Sequence, residues 1–317
     1  MNFNRFASMA AAGLLSLAAA VVSAAAPAAV EDRLNPQVNQ RFRAGMISFC
    51  ERPYDKLSLN GIWKFKWSQS PQERSLDFFL PSTDESDWEE MPVPGMWELN
   101  GHGDPMYLNR GYPWRGHFKT EPPKIPDEHN YVGQYRRHVV VDRSWLGKDI
   151  FLCIGSATPN VRVWVNGKMA GYSEDSKLEA RFDVTRFIKE GDNLIALEVF
   201  RWCDGTYLED QDFWRFAGLA RDTYMYAAPK SRVEDVNVKA SASGDFEFTA
   251  KVTPGVRTVI FTFDSVRLSA TPVDGEATVR GHIDNPRLWT AETPELYHLE
   301  VSSESKSGTG IDARLHF

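Results

Sequence analysis

The chain has 317 residues, enough for about two domains, and 42% hydrophobic and 25% charged residues give it the composition of an ordinary globular protein. Its formal net charge of −7, from 36 basic and 43 acidic residues, argues against nucleic-acid binding, and no run of lysine and arginine opposes this. Ten tryptophans are a weak compositional sign of carbohydrate binding, because aromatic rings cover the apolar faces of sugars.

The N-terminus has the pattern of a secretory signal peptide over residues 1–24. Arg5 supplies a positive charge, residues 9–22 form an apolar core, and Val22-Ser23-Ala24 fits the small-x-Ala cleavage pattern. A core of about 14 residues is shorter than the roughly 20 that a membrane-spanning helix needs, so we expect no membrane span. We therefore predict a periplasmic or secreted protein in which residues 25–34 form a flexible lead-in.

The three cysteines predict neither a disulfide framework nor a metal site, because Cys50, Cys153 and Cys203 have no close spacing. Cys153 lies in an apolar run and is predicted to be buried. A bridge between Cys153 and Cys203 stays open for an exported protein.

The first strand pattern covers residues 57–67. After the turn signal Asn60-Gly61, polar and aromatic residues alternate strictly, which places Trp63, Phe65 and Trp67 on one face. Three aromatic side chains on one face of a strand indicate a core face.

Prolines interrupt the strand patterns twice. Two prolines in residues 91–97 exclude a helix or a central strand, so we predict an extended edge there. Residues 112–130 contain four more prolines and are predicted to be an irregular loop.

Further strand patterns follow, without a long helical period, and they indicate an antiparallel β-sandwich. Asn166-Gly167 is a strong hairpin signal. Residues 182–188 predict a strand end and a short helical turn, which Gly191-Asp192-Asn193 would close. The strand patterns cover residues 133–141, 150–154, 160–165 and 194–200.

An acidic, aromatic stretch follows the apolar strand pattern 194–200. It contains Asp204, Glu209, Asp210 and Asp212 among aromatic residues, with Arg215 close behind. Carboxylates beside aromatic rings suit sugars, since acids accept hydrogen bonds from hydroxyl groups. On this chemistry alone, a sugar site and a plain acidic loop at a strand end both remain open.

A domain boundary is predicted at Pro229, with Lys230-Ser231 as a short linker. Strand patterns continue beyond it and predict a second β domain. They cover residues 233–239, 246–252, 259–263, 266–268, 298–302 and 311–317, the last two forming a terminal hairpin.

Four ordered motifs resemble those of the family 2 glycoside hydrolases, in the form found in the large β-galactosidases. They are Leu-Asn-Gly-x-Trp at 59–63, Tyr-x-Asn-x-x-Tyr-Pro at 107–113, Tyr-Leu-Glu-Asp-Gln-Asp-Phe-Trp-Arg at 207–215, and Asn-Pro-x-Leu-Trp-x-x-Glu-x-Pro-x-Leu-Tyr at 285–297. The resemblance covers residues 35–317. It implies an all-β chain, with a sugar-binding jelly-roll β-sandwich at 35–229 and an immunoglobulin-like β-sandwich at 231–317.

The resemblance also implies a substrate and site residues. The family hydrolyses terminal non-reducing β-D-galactosyl residues, so a galactoside is the expected substrate. Asn109 matches the asparagine that positions the sugar, and Asp212 matches the aspartate that contacts galactose hydroxyls and a sodium ion. Glu209, Trp214 and Arg215 are expected to hold the loop in shape. Full-length members use sodium and magnesium and are often homo-oligomers.

No catalytic residue is assigned to this chain. In the family, the two catalytic glutamates lie on a (β/α)₈ barrel that follows these domains, the acid/base in an Asn-Glu dipeptide, and no Asn-Glu occurs in this sequence. We therefore expect the non-catalytic N-terminal part of an exported β-galactosidase, inactive alone. A truncated gene product, an interrupted reading frame and a piece that needs a separate barrel all remain open, and the barrel would also complete the sodium site at Asp212.

Two other functions compete with this one. A free-standing carbohydrate-binding module could use Trp97, Trp114 and Trp214 as its sugar platform. A relative of the β-glucuronidases or β-mannosidases is disfavoured, because the motifs at 107–113 and 207–215 have the β-galactosidase form.

Overall fold

Alternating apolar patterns become strands throughout the structure, a computed structural model that describes residues 31–209 and 212–317. The all-β prediction is confirmed. The signal peptide predicted at 1–24, most of the lead-in, and Asp210 lie outside the described residues.

In the described part of the chain, sixteen strands precede residue 229, together with one short helix, α1, and 3₁₀ turns at Asp32–Leu34, Glu98–Asn100 and Arg143–Trp145. The strands and the helix are β1 (Gln40–Arg41), β2 (Asp55–Ser58), β3 (Gly61–Ser68), β4 (Glu89–Val93), β5 (Gly95–Met96), β6 (Tyr107–Leu108), β7 (Val132–Val141), β8 (Asp149–Ile154), β9 (Ala157–Thr158), β10 (Asn160–Val165), β11 (Lys168–Glu174), β12 (Ala180–Asp183), β13 (Gly191–Phe200), α1 (Thr206–Glu209), β14 (Phe213–Trp214), β15 (Gly218–Leu219) and β16 (Thr223–Ala228).

Two antiparallel sheets form the first sandwich. The larger has the order β1-β11-β10-β13-β7-β3-β4, and the smaller has the order β12-β8-β16-β2. Their facing sides share one apolar core, to which β3 contributes Trp63 and Phe65, β8 contributes Leu152 and β16 contributes Met225. Trp67 is partly buried against the same core, so the predicted aromatic face of β3 does face inward.

Local signals placed most turns and edges correctly. Asn166 and Gly167, with φ of 51° and 80°, have the left-handed conformation that a tight β10–β11 hairpin requires. The proline-bearing segment forms β4, an edge strand of the larger sheet. The turn predicted at 191–193 is wrong, since β13 begins at Gly191. The Asn193 side chain bonds to the Lys189 N–H and carbonyl groups, which moves the turn before Gly191.

The second sandwich contains seven strands in two sheets, ordered β17-β18-β21 and β20-β19-β22-β23. Its core combines valines with four buried phenylalanines, of which Phe248, Phe261 and Phe263 lie between the sheets. The strands are β17 (Val233–Ala240), β18 (Asp245–Val252), β19 (Thr258–Phe263), β20 (Val266–Ala270), β21 (Glu276–His282), β22 (His298–Ser305) and β23 (Gly308–His316).

Sequence analysis missed β21, because only Ala277 and Val279 of this strand are buried and its alternation is short. It also made the last turn too long, since β22 and β23 are separated only by Lys306-Ser307.

A segment that precedes β2 contacts both sandwiches, and residues Asp32–Phe317 form one compact unit. Arg52 donates hydrogen bonds to the Val233 and Glu234 carbonyl oxygens, and the Tyr54 hydroxyl donates to Asp312 at 3.0 Å. Across the same junction, buried Arg232 forms an ion pair with Asp149 of β8. In the described part of the chain, no helix has the length and apolar character needed to cross a bilayer.

Candidate functional site

The strands β6 and β14 form a two-stranded ribbon that brings two distant loops together. Tyr107 is paired with Trp214, and Leu108 is paired with Phe213. Because the ribbon is antiparallel, Asn109 and Asp212 are the next residues at the same end, and both are exposed. The structure therefore places the two residues that the resemblance named beside one another.

Asp212 is held by a neighbour on the ribbon. The Tyr107 hydroxyl donates a hydrogen bond to Asp212 Oδ1 at 2.5 Å, and this bond to the carboxylate raises the pKa of Tyr107. Trp214 and Tyr107 make an edge-to-face contact with ring centroids 5.6 Å apart, and Trp214 also stacks on Phe216. A carboxylate with an aromatic surface beside it can accept hydroxyl hydrogen bonds and cover an apolar sugar face.

Tyr107 was not singled out from the sequence, and Trp214 was expected to hold the loop in shape or, in a free-standing module, to form part of the sugar platform. Their side chains are 52% and 51% exposed, so both present ring surface to solvent. The sequence signal was present, since Tyr107 opens the motif that contains Asn109. Its pairing with Asp212 could not be derived, because 105 residues separate the two.

Glu209 and Arg215 have the loop-shaping role that was predicted for them. The Glu209 carboxylate accepts hydrogen bonds from the Ser176 backbone N–H, at 2.9 Å, and from the Ser176 hydroxyl. The backbone N–H of Arg215 donates a hydrogen bond to the Met106 carbonyl oxygen, and the Arg215 guanidinium group lies over the Phe213 ring.

A buried aromatic cluster supports the loop from below. Trp114 contacts Trp202 and Tyr207, with ring centroids 5.5 Å and 5.0 Å away, and Trp202 follows the last residues of β13. Trp97 is fully buried in the main core, and only 2% of Trp114 is exposed. The sugar platform suggested for a free-standing module is therefore wrong for these two residues, and of its three tryptophans only Trp214 is exposed.

A pair of buried carboxyl groups lies behind the loop. Glu174 of β11 and Asp204 are hydrogen-bonded to each other, and the Tyr172 hydroxyl donates to Glu174 at 2.6 Å. Burial raises the pKa of Glu174 to about 8 and raises that of Asp204 as well. One proton shared by the two groups reduces the charge that must be buried.

The same pair is the strongest candidate for holding a metal ion among the described residues. Glu174, Cys203 and Asp204 each offer a ligand atom, and these atoms lie within 4.8 Å of one another. Magnesium prefers oxygen ligands and usually takes one or two carboxylates plus water, which suits Glu174 and Asp204. Cys203 suits it poorly, because burial raises the pKa of its thiol and sulfur is a soft ligand.

The structure also shows the environments of the three cysteines and of Asp212. Cys50, Cys153 and Cys203 are free thiols, so Cys153 and Cys203 do not form a disulfide. Asp212 is exposed and supplies carboxylate oxygens only, so a sodium ion there would need further ligands from elsewhere.

Two family models match the chain. Residues 57–229 match "Glycosyl hydrolases family 2, sugar binding domain", and residues 226–316 match "Glycosyl hydrolases family 2". The chain therefore belongs to family 2 of the glycosyl hydrolases.

Similar curated proteins are named β-galactosidase. The Priestia megaterium protein is 35% identical over 277 residues, which cover 80% of this chain and 27% of the relative. The Halalkalibacterium halodurans protein is 36% identical over 269 residues, which cover 80% of this chain and 26% of the relative. The chain thus spans about a quarter of the length of the curated relatives it matches.

Solved structures with a similar fold include two β-glucuronidases. The Bacteroides uniformis enzyme has a TM-score of 0.62 at 18% identity, over 83% of this chain and 32% of that chain. The Bifidobacterium dentium enzyme, complexed with coumarin-3-O-glucuronide, has a TM-score of 0.64 at 16% identity, over 86% of this chain and 49% of that chain. At these identities the likeness shows the fold alone.

Proposed function

We propose that this chain is the N-terminal, sugar-binding part of an exported β-galactosidase and that its ribbon positions the galactoside. The supporting observation is the pairing of β6 with β14, which places Asn109 and Asp212 at one ribbon end beside two exposed aromatic rings. The names of the relatives at 35% and 36% identity support a galactoside rather than a glucuronide.

Asp212 has the chemistry to recognise a sugar ring. One of its carboxylate oxygens accepts from Tyr107, which orients the group and leaves the other oxygen available to a hydroxyl of the substrate. The Asn109 amide can both donate and accept, and the Trp214 ring can cover a C–H face. Together these groups bind and orient the sugar, and they do not attack its anomeric carbon.

In this proposal, the carboxylates that cleave the glycosidic bond lie on a barrel that completes the site, and not among the residues of this sequence. A retaining glycosidase needs two carboxyl groups about 5–5.5 Å apart that contact the substrate. Glu174 and Asp204 are close together, but only 8% and 7% of these residues are exposed, so a glycosidic bond cannot reach them. Glu209 is committed to Ser176.

Metal binding forms part of the proposal. Glu174 and Asp204 would hold magnesium, whose positive charge would offset two buried carboxylates next to α1. Asp212 would contribute to a sodium site that residues outside this chain complete. Assembly into homo-oligomers and export through the signal peptide at 1–24 remain predictions. For export, N-terminal sequencing of the periplasmic or secreted protein should begin near residue 25.

Titration of the mature chain with methyl β-D-galactoside, followed by nuclear magnetic resonance, tests the sugar-binding role. Two or three solvent-exposed hydrogen bonds of about 0.5–1.5 kcal/mol each correspond to a Kd of roughly millimolar or weaker. We expect the indole signal of Trp214 to shift in that range, and methyl β-D-glucuronide to bind more weakly because its carboxylate meets Asp212. No binding, or a preference for the glucuronide, would contradict the proposal.

Hydrolysis is tested separately with a nitrophenyl galactoside. We expect no turnover by the chain alone. Turnover that disappears in Glu209→Gln would make the acidic loop a catalytic site and overturn the assignment of a positioning role.

A further inference from the structure

The ribbon formed by β6 and β14 is too short to hold its own orientation. Among the described residues, its ladder consists of two residue pairs. An isolated two-stranded ribbon is at best marginally stable in water, and three or more strands are needed for independent stability. The direction in which Asn109 and Asp212 face therefore depends on what holds the opposite end, the base of the ribbon.

Arg201 holds the strand that enters the ribbon. It directly follows β13, which lies between β10 and β7 in the larger sheet. Arg201 Nη2 donates a hydrogen bond at 2.8 Å to the carbonyl oxygen of Asp104, three residues before Tyr107. The Tyr131 hydroxyl donates a second hydrogen bond to Asp104 Oδ2, at 2.7 Å. The entering strand is thereby attached to the central strands of the sandwich.

Glu98 holds the strand that leaves the ribbon. Its side chain is fully buried, and Oε2 accepts a hydrogen bond at 3.0 Å from the backbone N–H of Ala217, three residues after Trp214. The neighbouring Trp97 N–H donates to the Ala217 carbonyl oxygen at 2.9 Å. Both backbone polar groups of Ala217 are therefore held by the turn at Glu98–Asn100 and the residue before it.

The two side chains meet at the base of the ribbon. Arg201 Nη2 and Glu98 Oε1 are 3.9 Å apart, and only 3% and 0% of these side chains are exposed. Burial raises the pKa of Glu98, whereas the Ala217 N–H and the charge of Arg201 favour its carboxylate form. Because each side chain holds one strand and the two side chains contact each other, they tie both strands together. We call Arg201 and Glu98 the anchor pair.

We propose that the anchor pair positions the galactoside site by orienting the ribbon, so that Asn109 and Asp212 face one sugar. Both side chains are buried, so they act through the ribbon and do not contact the sugar. The identity of the ligand rests on the proposed function. The orientation of the ribbon, in contrast, can be measured without any sugar.

The first test replaces the anchor pair by Arg201→Met together with Glu98→Leu. Apolar residues of similar size are often neutral replacements for a buried ion pair, so the chain should remain folded. Residual dipolar couplings of the Tyr107 and Trp214 backbone N–H bonds report the orientation of the ribbon relative to β7 and β13. We expect these couplings to fit the structure in the unsubstituted chain and to average to smaller values in the double variant.

The second test uses single substitutions of Glu98. Glu98→Ala removes the acceptor of the Ala217 N–H, whereas Glu98→Gln retains an oxygen at that place and should restore the couplings. If Glu98→Ala leaves the ribbon in its binding orientation about one fifth of the time, affinity for methyl β-D-galactoside falls about fivefold. Leu99→Ala is the control, since Leu99 is 69% exposed and should affect neither measurement.

Variants that lose stability in urea but retain the couplings and the affinity would overturn the inference, because the anchor pair would then stabilise the fold without orienting the ribbon. Glu98→Gln that behaves like Glu98→Ala would also overturn it, since the bond to Ala217 would not be what holds the strand. An unsubstituted chain that does not bind the galactoside, with couplings that still decrease in the variants, would contradict the proposed function and support the orienting role.

Discussion

Both sandwiches consist of antiparallel sheets around an apolar core, but they differ in where carboxyl groups are buried. In the second, Phe248, Phe261 and Phe263 form an apolar core, and the buried carboxyl group of Asp312 lies at the junction with the first sandwich. In the first, Glu174 and Asp204 are buried directly behind the loop that carries the ribbon. Burying a carboxyl group is costly, and at both places hydrogen bonds to the carboxyl oxygens offset part of that cost.

The comparison shows where to look for function in a β-sandwich. Buried acids and exposed aromatic rings occur together at the loops of the first sandwich, whereas the second sandwich contacts the segment that precedes β2 through hydrogen bonds from Arg52 and Tyr54.

Phe248→Ala should destabilise the second sandwich most. Removing a fully buried phenylalanine lowers the free energy of unfolding by about 3–5 kcal/mol. Urea denaturation measures the change. Phe49→Ala is the matched control, since the Phe49 side chain is fully exposed and its loss should cost less than about 0.5 kcal/mol. Equal effects of the two substitutions would mean that Phe248 does not belong to the core.

Asp312→Ala should break the junction between the sandwiches. It leaves the Val233 N–H and the Tyr54 hydroxyl without their acceptor, at about 1–3 kcal/mol for each buried donor left unpaired. Asp312→Asn retains one side-chain oxygen and should cost less. Thermal unfolding followed by circular dichroism compares the two variants, and no loss in Asp312→Ala would show that these hydrogen bonds add nothing.

The same residue predicts a dependence on pH. Burial raises the pKa of Asp312 above its ordinary value of 3.8, so the folded state binds the proton more tightly than the unfolded state. The stability contributed by this group is therefore present below pH 3.8 and falls as the pH rises through the raised pKa. Asp312→Asn should remove this part of the decline in urea denaturation measured across that range. An unchanged slope would contradict it.

Magnesium should raise the thermal stability of the first sandwich and leave that of the second unchanged. At ten times its Kd, a bound ion adds about 1.4 kcal/mol of stability, which corresponds to a rise in Tm of a few degrees, roughly 2–4 °C. Differential scanning calorimetry at pH 8 measures this rise, and Glu174→Gln should abolish it. Asp212→Asn is the control and should leave it intact. The same rise in Glu174→Gln would place the ion elsewhere.

Tyr107→Phe should have the smallest effect. It removes the hydroxyl that orients Asp212 and keeps the ring, so galactoside affinity should fall only about two- to fivefold, the effect of roughly 0.5–1 kcal/mol. Titration with methyl β-D-galactoside measures the change. Affinity that is unchanged here and lowered in Asp212→Asn would show that Asp212 needs no orienting partner.

Patterns within the amino-acid sequence were enough to predict the fold class, the family and most strands. The inward face of β3, the edge strand β4 and the Asn166-Gly167 hairpin all follow from alternation, proline and turn residues, which act within a few neighbouring positions. The motif at 207–215 likewise identified the loop that carries Asp212. Local rules failed at β21, where few residues are buried, and at Gly191, where the side chain of Asn193 moves the turn.

Contacts between residues far apart in the chain became known from the three-dimensional structure. It pairs Tyr107 with Asp212, joins Glu174 to Asp204, and encloses Trp114 while leaving Trp214 half exposed. Strand pairing depends on the register between segments far apart in sequence, and burial depends on what packs over a side chain. The local pattern of apolar and polar residues encodes neither the strand register nor the burial of a side chain. The residues of the candidate site could therefore be named from the sequence, but their geometry could not.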